Sequence, residues 1–84
     1  MAAYNAYLWK LEHEWRLVHT ARDIAARSRK QAAKRSIDAL LCRPANRNNA
    51  DLRKLKAYLN GNAARPSGIR LEIVQVANGP TAGL

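Results

Sequence analysis

The sequence is short of the residues that build a large core or a covalent framework. It has no phenylalanine, one cysteine and two tryptophans in 84 residues, and much of its 48% apolar content is alanine. A chain of this length buries little surface, so we expect a single small domain of marginal stability. The lone Cys42 excludes an intrachain disulfide and a cysteine-based zinc site, which fits a reducing, intracellular compartment.

Acidic residues are also scarce. Six Asp and Glu stand against fifteen Lys and Arg, so the formal net charge is +9. Ten of the fifteen cations are arginine, whose planar guanidinium suits phosphate contact and stacking better than the lysine ammonium does. The composition therefore predicts a negatively charged partner, and nucleic acid is the commonest partner of that kind.

No group of residues has the spacing of a catalytic or metal site. His13 and His19 are six residues apart and do not share a helical face, and there is no glycine-rich phosphate loop or nucleophile motif. Cys42 follows an apolar pair and is expected to be a small buried thiol. We therefore expect no enzyme activity, no cofactor and no metal. Long apolar runs are missing too, so we expect neither a membrane span nor a secretory leader.

Glycine and proline are missing from the first 43 residues, which predicts helix over residues 3–42. The 3–4 spacing of the larger apolar residues supports that interpretation, and the residues concerned are Tyr4, Tyr7, Leu8, Leu11, Trp15 and Val18. Thr20 and Asp23 resemble a capping box, so the segment is either two helices or one long bent helix.

A loop over residues 43–49 and a short third helix should follow. Pro44 ends the preceding helix, and Asn48 or Asn49 caps the next one, whose buried stripe is Leu52, Leu55 and Leu59. Gly61 then supplies a left-handed C-terminal position. The predicted fold is therefore mostly α, with one strand at the C-terminal end.

That strand covers residues 69–76, where apolar and charged side chains alternate. Because we find no second strand to pair with it, it should pair with another chain, either a second copy or a neighbouring subunit. We expect one domain over residues 1–76 and an extended tail over residues 77–84.

The most basic stretch, residues 22–35, carries six Lys or Arg against one acid. On a helix these cations would be segregated from a face of small residues, which indicates contact with phosphates. The predicted nucleic-acid-binding residues are Arg22, Arg27, Arg29, Lys30, Lys34, Arg35, Arg43, Arg47, Arg53 and Lys54. The predicted protein-binding residues are Tyr4, Trp9, Ile69, Leu71 and Ile73.

Together these features favour a non-enzymatic, basic nucleic-acid-binding protein that acts as a small structural subunit of a nucleoprotein assembly. Ribosome-like RNA is favoured over DNA, and other protein subunits of the assembly are expected partners. The alternative is an accessory or inhibitory module that docks on an acidic protein through a helix face and strand addition. A DNA-binding homodimer paired through the C-terminal strand is a third possibility.

Overall fold

The computed structural model describes residues 1–76, which form a three-stranded antiparallel sheet with two helices on one face. The strands are β1 (Ala2–Leu11), β2 (Trp15–Ala26) and β3 (Ile69–Val76), in the sheet order β2-β1-β3. The helices α1 (Arg29–Leu41) and α2 (Ala50–Leu59) lie between β2 and β3 in the chain, and a single 3-10 turn (Pro44–Asn46) connects them.

The prediction of a mostly α fold with a helix over residues 3–42 is wrong. Residues 2–26 instead form a β-hairpin, closed by a short bend at residues 12–14. Strand β1 alternates, with Tyr4, Ala6 and Leu8 buried under the helices while the residues between them face the other side. The tertiary burial of this alternating face overrides the helix propensity of the alanines, lysines and leucines.

Strand β2 contains two irregularities that obscure its alternation. The register against β1 shifts once between Leu8 and Trp9 and again between Tyr4 and Ala6. Each extra residue moves the following side chains to the opposite face of the sheet. At the second shift Asp23 adopts a positive φ of 57°, and its N–H donates to Asn5 Oδ1 at 3.1 Å.

The basic helix begins at residue 29 and therefore excludes the first part of the stretch 22–35. Ser28 is its N-cap and accepts the N–H of Gln31, whose own side chain accepts the N–H of Arg27 at 2.7 Å. This reciprocal pair closely resembles a capping box, so the start of the helix is encoded here and not at Thr20.

The second helix follows the prediction closely. Asn49 is the N-cap, Asp51 lies in the first turn, and Leu52 and Leu55 are buried. Gly61 has a φ of 78°, as expected for a residue that ends a helix.

Strand β3 has its predicted bounds, but the prediction that it lacks a partner within the chain is wrong. It pairs with β1 over eight consecutive residues, from Ala3 opposite Val76 to Lys10 opposite Ile69. The pairing could not be predicted as long as residues 2–11 were expected to be helical. The predicted tail, residues 77–84, lies outside the described residues.

Helices and sheet enclose one main core. It joins β1, both helices and the start of β3, and its largest fully buried side chains are Leu8, Ile37, Leu40 and Leu52. A smaller cluster of Tyr4, Ala26 and Ala32 continues it toward the other end of the sheet. Cys42 is exposed, so its predicted burial is wrong.

Candidate nucleic-acid interface

The molecule has two unlike surfaces on opposite sides of the sheet. We call the outward side of α1 and α2 the basic helical surface, and the uncovered side of the sheet the open sheet face. The basic helical surface carries Lys30 and Lys34 from α1 and Arg53 and Lys54 from α2. The open sheet face carries most of the aromatic residues, in line with the strand alternation.

The fold neutralises few of the charges on the helical side. Asp38 pairs with Lys56 at 3.2 Å and Asp51 pairs with Lys10 at 3.1 Å. Within residues 1–76, no ion pair involves Lys30, and none involves Lys34, Arg53 or Lys54. Two acids thus neutralise two lysines, and Lys30, Lys34, Arg53 and Lys54 remain available to an external anion.

Lysines 30 and 34 line one wall of a shallow groove between the helices. The other wall is formed by the C-terminal end of α2, namely Tyr58, Leu59, Asn60 and Gly61. The first turn of α1 contains Arg29 and Lys30 and no acid. Because the N-terminal end of a helix is itself partly positive, these cations destabilise the helix unless an anion is nearby.

Three of the predicted phosphate-binding arginines contact the edges of the sheet. The N–H of Leu11 donates to Gly68 O at 2.8 Å, so the odd-numbered residues of β1 direct their backbone groups toward β3. The carbonyl of Ile73, opposite Ala6, therefore faces outward, and it accepts a bond from Arg29 Nη1 at 2.6 Å.

The same pattern occurs at the β2 edge. Thr20 and Ala25 lie opposite Tyr7 and Ala3, and their outward carbonyls accept bonds from arginine side chains. Arg43 Nη2 lies 3.5 Å from Thr20 O, and Arg35 Nη1 donates to Ala25 O. These three arginines were predicted to bind phosphates, and the contacts with the sheet edges give them a role in the fold as well.

The remaining predicted phosphate ligands are exposed at separate places. Arg27 precedes α1, Arg47 follows the 3-10 turn, and Arg22 lies in the β2 bulge beside Asp23. The structure therefore groups Lys30 and Lys34 in one groove, with Arg53 and Lys54 on the neighbouring helix, but it does not unite all ten residues into one site.

Four of the five predicted protein-binding residues face the helices. Tyr4 and Ile69 are buried, and Leu71 and Ile73 pack against the core. Trp9 alone lies on the open sheet face, where it is half-buried.

The open sheet face contains three of the five aromatic residues of the chain, including both tryptophans. Tyr7 and Trp9 follow each other on β1, and Trp15 starts β2 opposite Leu11. Leu17 of β2 lies opposite Trp9. Leu11, Trp15 and Leu17 are between 40% and 48% exposed, so this face presents substantial apolar surface to solvent.

Polar neighbours hold the aromatic rings in place. Arg70 of β3 extends across the face and places its guanidinium carbon 5.0 Å from the centre of the Trp15 ring. The indole N–H of Trp9 donates to Glu72 Oε1 at 3.3 Å, and Asn5 Nδ2 donates to the hydroxyl of Tyr7 at 3.3 Å. Trp9 alone was predicted to be exposed. Tyr7 and Trp15 lie beside it on this face, and alternation along two strands is the signal that places them there.

His19 lies beside the N-terminus of α2, where its surroundings change its pKa. Its partial burial lowers its pKa, the charge of Arg43 lowers it further, and Asp51 opposes these effects. Asn49 uses its oxygen to cap α2, so its Nδ2 faces His19 Nε2 at 3.5 Å. A neutral imidazole accepts from that amide, which agrees with the lowered pKa.

Among residues 1–76, no helix is both long and apolar enough to cross a membrane. The same part of the chain contains no group of three His, Cys, Asp or Glu side chains arranged to hold a metal ion.

The chain matches no protein-family model, and no curated protein or solved structure shows significant similarity to it. Its function must therefore be inferred from its own surfaces.

Proposed function

We propose that this chain is a non-enzymatic nucleic-acid-binding protein that serves as a small structural subunit of a nucleoprotein assembly. The observation that carries the proposal is the basic helical surface, where Lys30, Lys34, Arg53 and Lys54 have no acidic partner among the described residues. The binding would be electrostatic, because lysine and arginine contacts to phosphates position a partner without reading its sequence.

The groove beside α1 supports phosphate contact more specifically than net charge alone does. Lys30 and Lys34 share this groove, and the cations in the first turn of α1 have no acid to offset them. A phosphate bound there would interact favourably with both lysines, whose two full charges outweigh the partly negative C-terminal end of α2 on the other wall. RNA is favoured over DNA because the chain also exposes aromatic side chains, which suit the unpaired bases of RNA loops.

A matched pair of double variants tests the proposal. Lys30→Gln/Lys34→Gln removes two unpaired cations, while Lys10→Gln/Lys56→Gln removes two cations that are paired with Asp51 and Asp38. Both variants lower the net charge equally. Affinity for duplex and single-stranded RNA should be measured by fluorescence anisotropy over a range of salt concentrations.

The first variant should bind every sequence more weakly and show a flatter salt dependence. On single strands each lost phosphate contact should reduce the slope by about 0.7. The second variant should change both quantities less. If the two variants behave alike, net charge rather than this groove determines binding, and the assignment to the basic helical surface is wrong.

A protein-docking module is the second candidate, because Leu11, Leu17 and Val74 are exposed on the open sheet face. The homodimer formed through β3 is less well supported, since β3 pairs with β1 and Arg29 contacts its outer edge. Purification before and after nuclease treatment separates the candidates. A partner retained after complete nuclease digestion would favour the docking module.

A further inference from the structure

We propose that the open sheet face binds unpaired bases of single-stranded nucleic acid, with Tyr7, Trp9 and Trp15 as stacking surfaces and Arg70 as an additional planar cation. This inference rests on the proposed function and extends it, because the basic helical surface contacts phosphates only. The two surfaces would then recognise different parts of the same kind of molecule.

The first argument is the distribution of aromatic residues. The chain has two tryptophans and three tyrosines, and both tryptophans lie on this one face with Tyr7. Packing of the core does not explain their position, since the helices cover the opposite side of the sheet and Trp15 is 40% exposed. Exposed aromatic rings on a sheet are a general means of holding bases, because every base has a flat apolar face.

The second argument is that the rings are already oriented. Glu72 accepts the only hydrogen-bond donor of the Trp9 ring, so what this side chain offers to a ligand is its flat face. Asn5 Nδ2 donates to the hydroxyl oxygen of Tyr7 and so restrains this ring as well. Rings that are held before binding lose less conformational freedom when a ligand arrives.

The third argument concerns charge. Arg70 places its guanidinium carbon 5.0 Å from the centre of the Trp15 ring, and a guanidinium in that position can contact a phosphate of a strand that lies on the rings. Glu72, the acid beside the rings, accepts from the indole N–H of Trp9 and keeps its negative charge, which offsets that of Arg70. At the other end of the face Asp23 offsets Arg22 in the same way. The long-range attraction of a polyanion therefore comes from the net charge of +9, and Arg70 supplies a local contact.

Tryptophan fluorescence provides a direct test, because both tryptophans of the chain are on this face. The full-length chain should be titrated with single-stranded oligouridine, with a duplex RNA of the same length, and with heparin, a polyanion without bases. We expect oligouridine to quench the emission. Duplex RNA and heparin should bind with little quenching.

A pair of side-chain truncations on one strand provides the control. Trp15→Ala removes a ring that is 40% exposed on the open sheet face, and Val18→Ala removes an aliphatic side chain that is 42% exposed on the same strand. Trp15→Ala should weaken oligouridine binding about 5- to 150-fold, as expected for loss of one stacked base. It should leave heparin binding unchanged, and Val18→Ala should affect oligouridine binding much less.

Arg70→Lys tests the same face without removing a ring or a charge, which guards against effects on folding. It should weaken oligouridine binding relative to heparin binding, because lysine keeps the charge but lacks the stacking plane.

The outcomes distinguish this inference from the function on which it rests. Binding of all three ligands without quenching, and without an effect of Trp15→Ala, would overturn the stacking role and leave phosphate contact intact. Binding of none of them would overturn the proposed function itself. If the chain sediments as a dimer that Leu17→Ala converts to a monomer, a second copy covers the face, and the inference is also wrong.

Discussion

The two faces of the sheet differ in the exposure of their side chains. The side under the helices is built of Tyr4, Ala6 and Leu8, which are at most 6% exposed, and it holds the fold together. The residues between them on β1 face the open side, where aromatic and aliphatic groups remain in contact with solvent. Burial explains the first set of residues, whereas the second set contributes little to the core and is more readily explained by a ligand or partner.

The largest expected effect comes from a matched pair of leucine truncations. Leu8→Ala should lower the free energy of unfolding by about 2–5 kcal/mol, because it opens a cavity where the side chain is 1% exposed. Leu17→Ala, at a side chain that is 48% exposed, should change it by about 0.5 kcal/mol or less. Chemical denaturation measures both. Equal losses would mean that Leu17 supports the fold as much as Leu8 does, and that the open sheet face belongs to the core.

A smaller effect should separate the arginines that support the sheet from those that do not. Arg29→Gln removes the bond to Ile73 O, which should lower the free energy of unfolding by about 0.5–1.5 kcal/mol, less the small gain from removing a cation at the N-terminus of α1. Arg27→Gln should leave stability nearly unchanged, because among the described residues its side chain makes no hydrogen bond or ion pair. Thermal and chemical unfolding of the two variants, which have equal net charge, should reveal the difference. A stable Arg29→Gln protein would return this residue to the phosphate-binding set.

The smallest effect is a pH dependence at the helix-facing side of β2. The pKa of His19 is lower in the folded chain than its ordinary value of 6.5, so the unfolded chain binds more protons between these two values. Stability from this residue is therefore complete above pH 6.5 and falls as the pH decreases through that value toward the folded pKa. His19→Gln should flatten this part of the stability profile in denaturation experiments at several pH values. A wild-type profile in the variant would assign the dependence to another group.

The elements with strong local signals were predictable, and those defined by pairing were not. Asn49, Asp51 and Gly61 mark the ends of α2 by capping and backbone geometry, which act within a few residues. The hairpin lacks such a signal, because its bend over residues 12–14 contains no glycine, proline or asparagine. Its alanines also fit both a helix and a strand.

The two bulges explain why β2 was not recognisable by alternation. Trp15 and Leu17 face the open side, but the extra residue after them moves His19 and Ala21 to the helix side. The second bulge then restores the original phase, so no window of the strand keeps a period of two for long. The basic residues near α1 could be predicted from charge alone, while the aromatic residues of the open sheet face depend on the strand assignment, and only Trp9 was predicted to be exposed.

The arginine contacts at the sheet edges have a consequence for the behaviour of the chain at high concentration. A three-stranded sheet has two outer strands whose free backbone groups can recruit further strands and begin a filament. Arg29 occupies an outward carbonyl of β3, and Arg35 and Arg43 occupy outward carbonyls of β2. These side chains place a full positive charge at each growth point, so like copies repel where they would otherwise join. The arginines at the two sheet edges would thereby keep the protein dispersed in solution.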